Sequence, residues 1–240
     1  MVLIINGPVK PVVFKSGLYD KEEDIVTMSH LTEYAKIVRI KTGNLSDKGF
    51  KAKLTLPNGK TLPRIWDYIN FYVGIDGYEC GLSCRDQNDW KQNGVLKWRV
   101  FANGEKSTTY GNKYTDGSTV AISIELNDQN KVVYKVNDVV VRTFTKTLTS
   151  VANSARLVFA SYQSTGVDNL LPWTVFHNQV RAFEMKYKTS SNTWVAFTNG
   201  SKIDVEEWPT NKPSPDGKKY VVDKTWIGNA DVYASLKETY

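Results

Sequence analysis

The feature that most constrains this chain is an alternation of apolar and polar residues with a period of two, which recurs in segment after segment. Phe50, Ala52, Leu54 and Leu56 alternate with Lys51, Lys53 and Thr55. Ile69, Phe71, Val73 and Ile75 alternate with Asn70, Tyr72, Gly74 and Asp76. Val120, Ile122, Ile124 and Leu126 alternate with Ala121, Ser123 and Glu125. Successive side chains of a strand point to opposite faces, so each segment offers one face to a core and the other to water or a ligand. Val132, Tyr134 and Val136 run into Asn137-Asp138 and then Val139-Val140-Val141, which predicts a hairpin because both turn residues tolerate positive φ. Further strands are expected near 36–42, 95–102, 155–162, 173–187, 193–198 and 220–227, separated by turns such as Pro57-Asn58-Gly59, Asn103-Gly104 and Asp116-Gly117. Helical potential is confined to a weak capping box, Asp20 with Glu23. Many short strands without intervening helices predict an all-β fold, an antiparallel two-sheet jelly-roll sandwich. We expect one domain over residues 1–240, with residues 1–35 a partly irregular N-terminal segment.

Composition narrows the function classes. With 41% hydrophobic and 23% charged residues the chain can bury a core, which excludes wholesale disorder. No apolar run approaches the ~18 to 20 residues of a membrane span. The net charge of +6 is scattered, with no run of four basic residues, so a solvated surface is expected and no nucleic-acid partner. Met1-Val2-Leu3-Ile4-Ile5 is too short for the apolar part of a leader. The expectation is a secreted protein whose leader has been replaced by a start Met, with a cytoplasmic protein as the alternative. Cys80 and Cys84 are the two cysteines. On a straight strand they would lie ~13 Å apart, beyond bridging range. A tight bend at Gly81 would permit the disulfide expected of an exported protein, and free thiols are the alternative.

Two segments carry a resemblance to known families. Thr119 to Phe144, a strand pair around a polar turn, resembles the paired strands of concanavalin A-like jelly rolls. Val73-Gly74-Ile75-Asp76-Gly77-Tyr78-Glu79-Cys80 is similar to the Val-Gly-Ile-Asp-Gly-x-x-Cys stretch of the glutamic peptidases, or eqolisins, which share that fold. The resemblance implies a Gln a few residues after the Cys to hold the oxyanion, a position where Gln87 stands. It also implies a Glu before a Trp on a later strand as general base. The analogous segment here is Leu171-Pro172-Trp173, and proline can neither accept nor donate that proton. The resemblance thus implies the fold without the peptidase activity.

Other catalytic constellations are missing as well. The Glu-x-Asp-x-x-Glu strand of jelly-roll glucanases does not occur, nor does a Gly-x-Ser-x-Gly elbow, a His-Glu-x-x-His zinc motif or a phosphate loop. No cofactor and no metal site is expected. What stands out is a concentration of aromatic and hydrogen-bonding residues between Trp66 and Phe101. Sugars present an apolar C–H face and a rim of hydroxyls, which aromatic rings and polar side chains match. Tyr72 and Asp76 are expected on the polar face of their strand, joined by Asp86, Gln87 and Trp90 from the following loop, as a shallow saccharide site. Trp90, flanked by Asp89, Lys91 and Gln92, is expected to be an exposed indole. The function expected is a non-enzymatic glycan-binding or surface-interaction protein of bacterial secreted type. The alternatives are a polysaccharide- or peptide-cleaving jelly-roll enzyme with an unrecognised acid pair, and a structural or assembly protein.

Overall fold

A computed structural model describes residues 33–58, 60–62, 67–85, 90–164, 175–176, 180–198, 204–208, 219–228 and 231–239. The described residues form strands β1 (Glu33–Lys41), β2 (Gly49–Thr55), β3 (Lys60–Thr61), β4 (Tyr68–Ile75), β5 (Tyr78–Arg85), β6 (Lys91–Gln92), β7 (Val95–Leu96), β8 (Trp98–Asn103), β9 (Thr108–Tyr114) and β10 (Thr119–Leu126). They continue with β11 (Lys131–Val136), β12 (Val139–Thr147), β13 (Arg156–Ser164), β14 (Val175–Phe176), β15 (Val180–Lys188), β16 (Trp194–Ala196), β17 (Asp204–Trp208), β18 (Lys219–Gly228) and β19 (Asp231–Thr239). A seven-stranded sheet runs β17-β1-β13-β4-β5-β8-β9. An eight-stranded sheet runs β12-β11-β10-β2-β15-β19-β18, with β16 paired to β15. The pairs in both sheets are antiparallel, giving the all-β jelly-roll sandwich that the alternation predicts. The capping box at Asp20 and Glu23 lies outside the described residues.

The sheets share one core, built by the alternating apolar positions of each. Ile69, Phe71, Val73, Cys80 and Leu82 from one sheet meet Phe50, Leu54, Ile122, Ile124 and Tyr134 from the other. Phe71 stacks on Trp98 at 4.9 Å and meets Phe159 edge-on at 5.6 Å, a geometry aromatic pairs prefer. The Tyr134 hydroxyl crosses between the sheets and donates to the Gly81 carbonyl at 3.2 Å, so this buried polar atom is satisfied.

Two hairpins set the strand order. Asn137 and Asp138 hold φ of 49° and 63° between the facing residues Val136 and Val139, as the sequence predicts. Asp76 also takes a positive φ, 51°, and with Gly77 turns β4 into β5 between the paired residues Ile75 and Tyr78. This corrects the placement of Asp76 on the polar face of a strand. The strand ends one residue earlier, because an Asp-Gly pair fits a two-residue turn better than an extended backbone.

The cysteines are also a correction. Both lie on β5, where Cys80 faces Val73 and Cys84 faces Ile69, and both are unbridged and buried in the core. No bend forms at Gly81, since Gly81 stays in register opposite Tyr72 and Phe101. A Cβ there would come within 2.5 Å of the Tyr72 backbone, so the glycine serves close strand approach. Burial pushes the Cys80 thiol up, which makes it inert as a nucleophile.

Candidate functional site

The outer face of the seven-stranded sheet gathers most of the chemistry near the predicted site. Its residues occupy the positions between the core residues: Tyr68, Asn70, Tyr72 and Gly74 on β4 face Arg85, Ser83, Gly81 and Glu79 on β5. β13 adds Arg156, Val158, Ala160 and Tyr162, while β8 adds Arg99 and Phe101.

At one end of the face the eqolisin-like segment builds a socket for Arg156. The Arg156 guanidinium donates to the Asp76 carbonyl and to Glu79 Oε1, both at 3.0 Å. Gly74 lies beneath it, and a Cβ at that position would come within 2.9 Å of the guanidinium carbon. The Asp76 carboxylate accepts from the Ala152 amide at 2.9 Å, and the Asp76 amide donates to the Asn153 carbonyl. Each residue of the segment therefore has a structural duty. Val73, Ile75, Tyr78 and Cys80 fill the core, Asp76-Gly77 makes the turn, and Gly74 and Glu79 receive the arginine. Arg39, Lys41, Glu79, Asn153, Ser154 and Arg156 line a cleft of about 530 Å³ here.

In the middle of the face Ile37, Tyr72, Phe101, Val158 and Ala160 form a second, small apolar cluster. Tyr72 is 3% exposed, and its ring meets Phe101 edge-on at 6.1 Å. Burial, with Tyr162 and Glu79 adding to it, raises the Tyr72 hydroxyl far above the ordinary tyrosine value despite the opposing pull of Arg156 and Arg39. Tyr72 is thus a neutral, packed phenol rather than an open platform.

At the other end five side chains stack in a row. Tyr162 and Tyr68 stack at 4.4 Å, Arg85 lies 4.4 Å over Tyr68, and Arg85 and Arg99 lie 6.0 and 5.0 Å from the centre of Trp90. Trp90 is completely buried, which corrects the expectation of an exposed indole. The two guanidiniums supply, through cation–π contact, the surroundings that its polar sequence neighbours could not.

Between the stack and the apolar cluster lie Asn70 and Ser83, paired across β4 and β5. Asn70 Oδ1 and Ser83 Oγ are buried side-chain atoms with no hydrogen-bond partner among the described residues. Of the predicted site residues, Tyr72 and Trp90 both join this face, Asp76 sits in the turn at its end, and Asp86 and Gln87 lie outside the described residues. Tyr68 and Arg99 belong to the concentration of aromatic and hydrogen-bonding residues between Trp66 and Phe101, whereas Arg156, Glu79, Asn70, Ser83 and Arg85 are not among the expected site residues. Asn70 and Tyr68 were within reach of the alternation, because they share the parity of Tyr72.

Comparison with protein-family models gives no match, and comparison with curated proteins gives none. Among solved structures the chain is similar to scytalido-glutamic peptidase bound to a peptide-based transition-state analogue, with TM-score 0.56 and 12% identity over 87% of this chain and 100% of that one. It is similar to an eqolisin peptidase, SCP-B, in complex with the tripeptide Ala-Ile-His, with TM-score 0.55, 12% identity and the same coverage. The chain has the eqolisin jelly-roll fold. At this identity the likeness is one of fold, in agreement with the resemblance of Val73–Cys80. Pro172, which the sequence resemblance sets in the place of the family's Glu, lies outside the described residues.

Proposed function

We propose that the protein is a non-enzymatic glycan-binding protein of bacterial secreted type, which takes a saccharide on the outer face of its seven-stranded sheet. The observation that carries this reading is the pair of buried, unpartnered polar atoms on Asn70 and Ser83. A buried polar atom without a partner costs about 1 to 3 kcal/mol, which a ligand hydroxyl or amide removes by bonding to it. Tyr68 and Arg99 border the pair with polar groups held rigid by stacking, so little freedom is lost on binding.

A hydrolytic reading finds less support. Glu79 of this face is taken up by Arg156 at 3.0 Å, and the register sets Asp204 and Glu206 of β17 opposite Lys41 and Arg39 of β1. Glycoside hydrolysis of the ordinary kind needs two carboxylates across the scissile bond. The resemblance to the peptidases likewise leaves Pro172 where their general base belongs.

A glycan array followed by titration calorimetry, with and without EDTA, tests the proposal. We expect a glycan bound by the full chain, unaffected by EDTA, with Asn70→Ala weakening it by roughly three- to tenfold, the worth of one or two neutral hydrogen bonds. Incubation with acid-denatured protein is expected to yield no cleavage. A chain that binds no glycan, or whose binding survives Asn70→Ala unchanged, refutes the reading.

A further inference from the structure

The cations scattered along the sequence converge on the opposite side of the molecule. On the outer face of the eight-stranded sheet one row runs Lys186, Lys51, Ser123 and Lys135 across β15, β2, β10 and β11. Lys186 and Lys51 stand directly opposite each other, and like charges at such positions destabilise a sheet. Strands are ~4.8 Å apart, so the backbone positions of successive lysines in the row are spaced by roughly 5 and 10 Å. At the centre of this face Lys51, Lys53, Lys135, Arg181, Lys186 and Lys188 stand against Glu125, Glu184 and Asp138, a net +3 that is half of the chain's +6.

The internal pairing does not neutralise the row. Glu125 takes Lys135 at 2.6 Å and Lys188 at 2.8 Å, and Glu184 takes Lys53 at 2.8 Å. Lys51 lies 4.5 Å over the ring of Trp194. Among the described residues Lys186 has no carboxylate partner. Between these lysines is a depression of about 240 Å³ with a floor of small side chains, Ala121 and Ser123.

We propose that this face binds an acidic polysaccharide, with anionic groups on successive sugars seated between Lys186, Lys51 and Lys135 over Ser123. Charge complementarity selects a polyanion, and the shape selects its kind. Among the described residues the rings on the face are covered by cations, Trp194 by Lys51 and Phe183 by Arg181 at 4.6 Å, so they offer no stacking platform to unpaired bases. A broad sheet face has no element to insert into a duplex groove. The described rings near its centre are covered by cations, and the exposed Val139 and Val140 lie on the edge strand β12, so the centre presents no open apolar anchor of the kind a protein interface uses. This site is separate from the outer face of the seven-stranded sheet and stands or falls independently of it.

Heparin-affinity chromatography of the full chain, with calorimetry on heparin and on single-stranded DNA, decides the matter. We expect retention at physiological ionic strength and tighter binding to heparin than to the DNA. The pair Lys51→Gln with Lys186→Gln should weaken heparin binding roughly ten- to thirtyfold while its melting temperature holds or rises, because a like-charge opposition is gone. Ser123→Glu, which adds an anion to the floor, should give a similar loss. Lys106→Gln with Lys146→Gln removes the same net charge from exposed positions elsewhere and should elute with the parent protein. Equal shifts for the two double variants would reduce the effect to diffuse charge and overturn the proposal. DNA binding as tight as heparin binding, or a parent protein that is not retained, would overturn it too.

Discussion

The residues that face outward on β2 and those that face outward on β4, β5 and β13 obey the same alternation but meet different surroundings. Lys53 on β2 is 43% exposed and pairs with Glu184 at the surface. Tyr72, Ser83, Val158 and Ala160, the equivalents on the seven-stranded sheet, are exposed by 3% or less. A period of two fixes which side of a sheet a residue takes, and says nothing about whether that side is covered. The identity of the outward residues carries the second piece of information. Lysines and threonines keep one face wet, whereas Ile37, Phe101, Val158 and Ala160 make the other a small core of its own. The contrast predicts that substitutions on the covered face cost folding stability, and that those on the lysine face change charge with little effect on folding.

The sharpest way to break that contrast is Trp90→Ala. Removing a fully buried indole that two arginines flank should destabilise by about 3 to 5 kcal/mol. For a chain of this length that lowers the melting temperature by roughly 10 °C or more, readable by calorimetry. A shift of only a degree or two would put Trp90 back on an open surface.

Gly74→Ala tests the socket at the other end of the face and should have a smaller effect. The new methyl would press on the Arg156 guanidinium, which can swing away only by releasing the Asp76 carbonyl and Glu79. We expect a loss of about 1 to 3 kcal/mol by chemical denaturation. Adding Arg156→Ala should make the double variant less destabilised than the sum of the two single changes. Strict additivity would show that the glycine and the arginine do not interact.

These two residues also show what the sequence could and could not reveal. The core stripes of β2, β4, β10 and β11 and the hairpin at Asn137-Asp138 were legible, because local patterning alone decides them. The strand β5 was not. Its segment Tyr78–Arg85 alternates correctly, but its core positions include two cysteines and its centre is Gly81, a pattern that also fits a tight bend closed by a disulfide. Missing that strand also misplaced Asp76. The exposure of Trp90 was misjudged because Arg85, five residues earlier, and Arg99, nine residues later, come over the ring only through pairing of β5 with β8. The lysine row was hidden for the same reason, since Lys51, Lys135 and Lys186 are far apart in the chain.

The acid response sharpens the comparison where the two sheets meet at an edge. Glu105, in the β8–β9 connection, accepts from the Thr145 amide at 3.0 Å, the Thr145 hydroxyl at 2.7 Å and the Lys146 amide. Partial burial would raise its pKa, but these bonds and the nearby Arg142 outweigh that and hold it at about 2. A carboxyl whose folded value lies below its unfolded value of 4.5 contributes stability that is complete above the unfolded value. That contribution is lost as the pH falls from 4.5 through about 2. Denaturation midpoints of the parent chain should therefore decline across this window, with a shallower decline for Glu105→Gln. Parallel curves for the two proteins would remove Glu105 from the acid response. As the carboxylate lies near the surface, added salt should shrink the difference.

Ser83→Ala should have the smallest effect on folding and carries the most information about the site. Ser83 is 1% exposed, and its hydroxyl has no partner among the described residues, so the substitution removes a buried polar atom without breaking a hydrogen bond to any of them. Without ligand the variant should be as stable as the parent chain or more stable by up to about 1 kcal/mol. If the hydroxyl is kept for a ligand, the same change should weaken glycan binding severalfold, the opposition of stability and function expected of a binding site. Thr109 supplies the control. Its hydroxyl is likewise buried without a partner, but it lies on β9, opposite Phe101 and two strands from Ser83. Thr109→Val should match the stability of Ser83→Ala and leave glycan affinity unchanged. Equal losses of affinity in the two variants would place the ligand across the whole face instead of over Asn70 and Ser83. A destabilised Ser83→Ala would mean that its hydroxyl already bonds to something in the folded protein, and the argument for a vacant saccharide site at that position would fail.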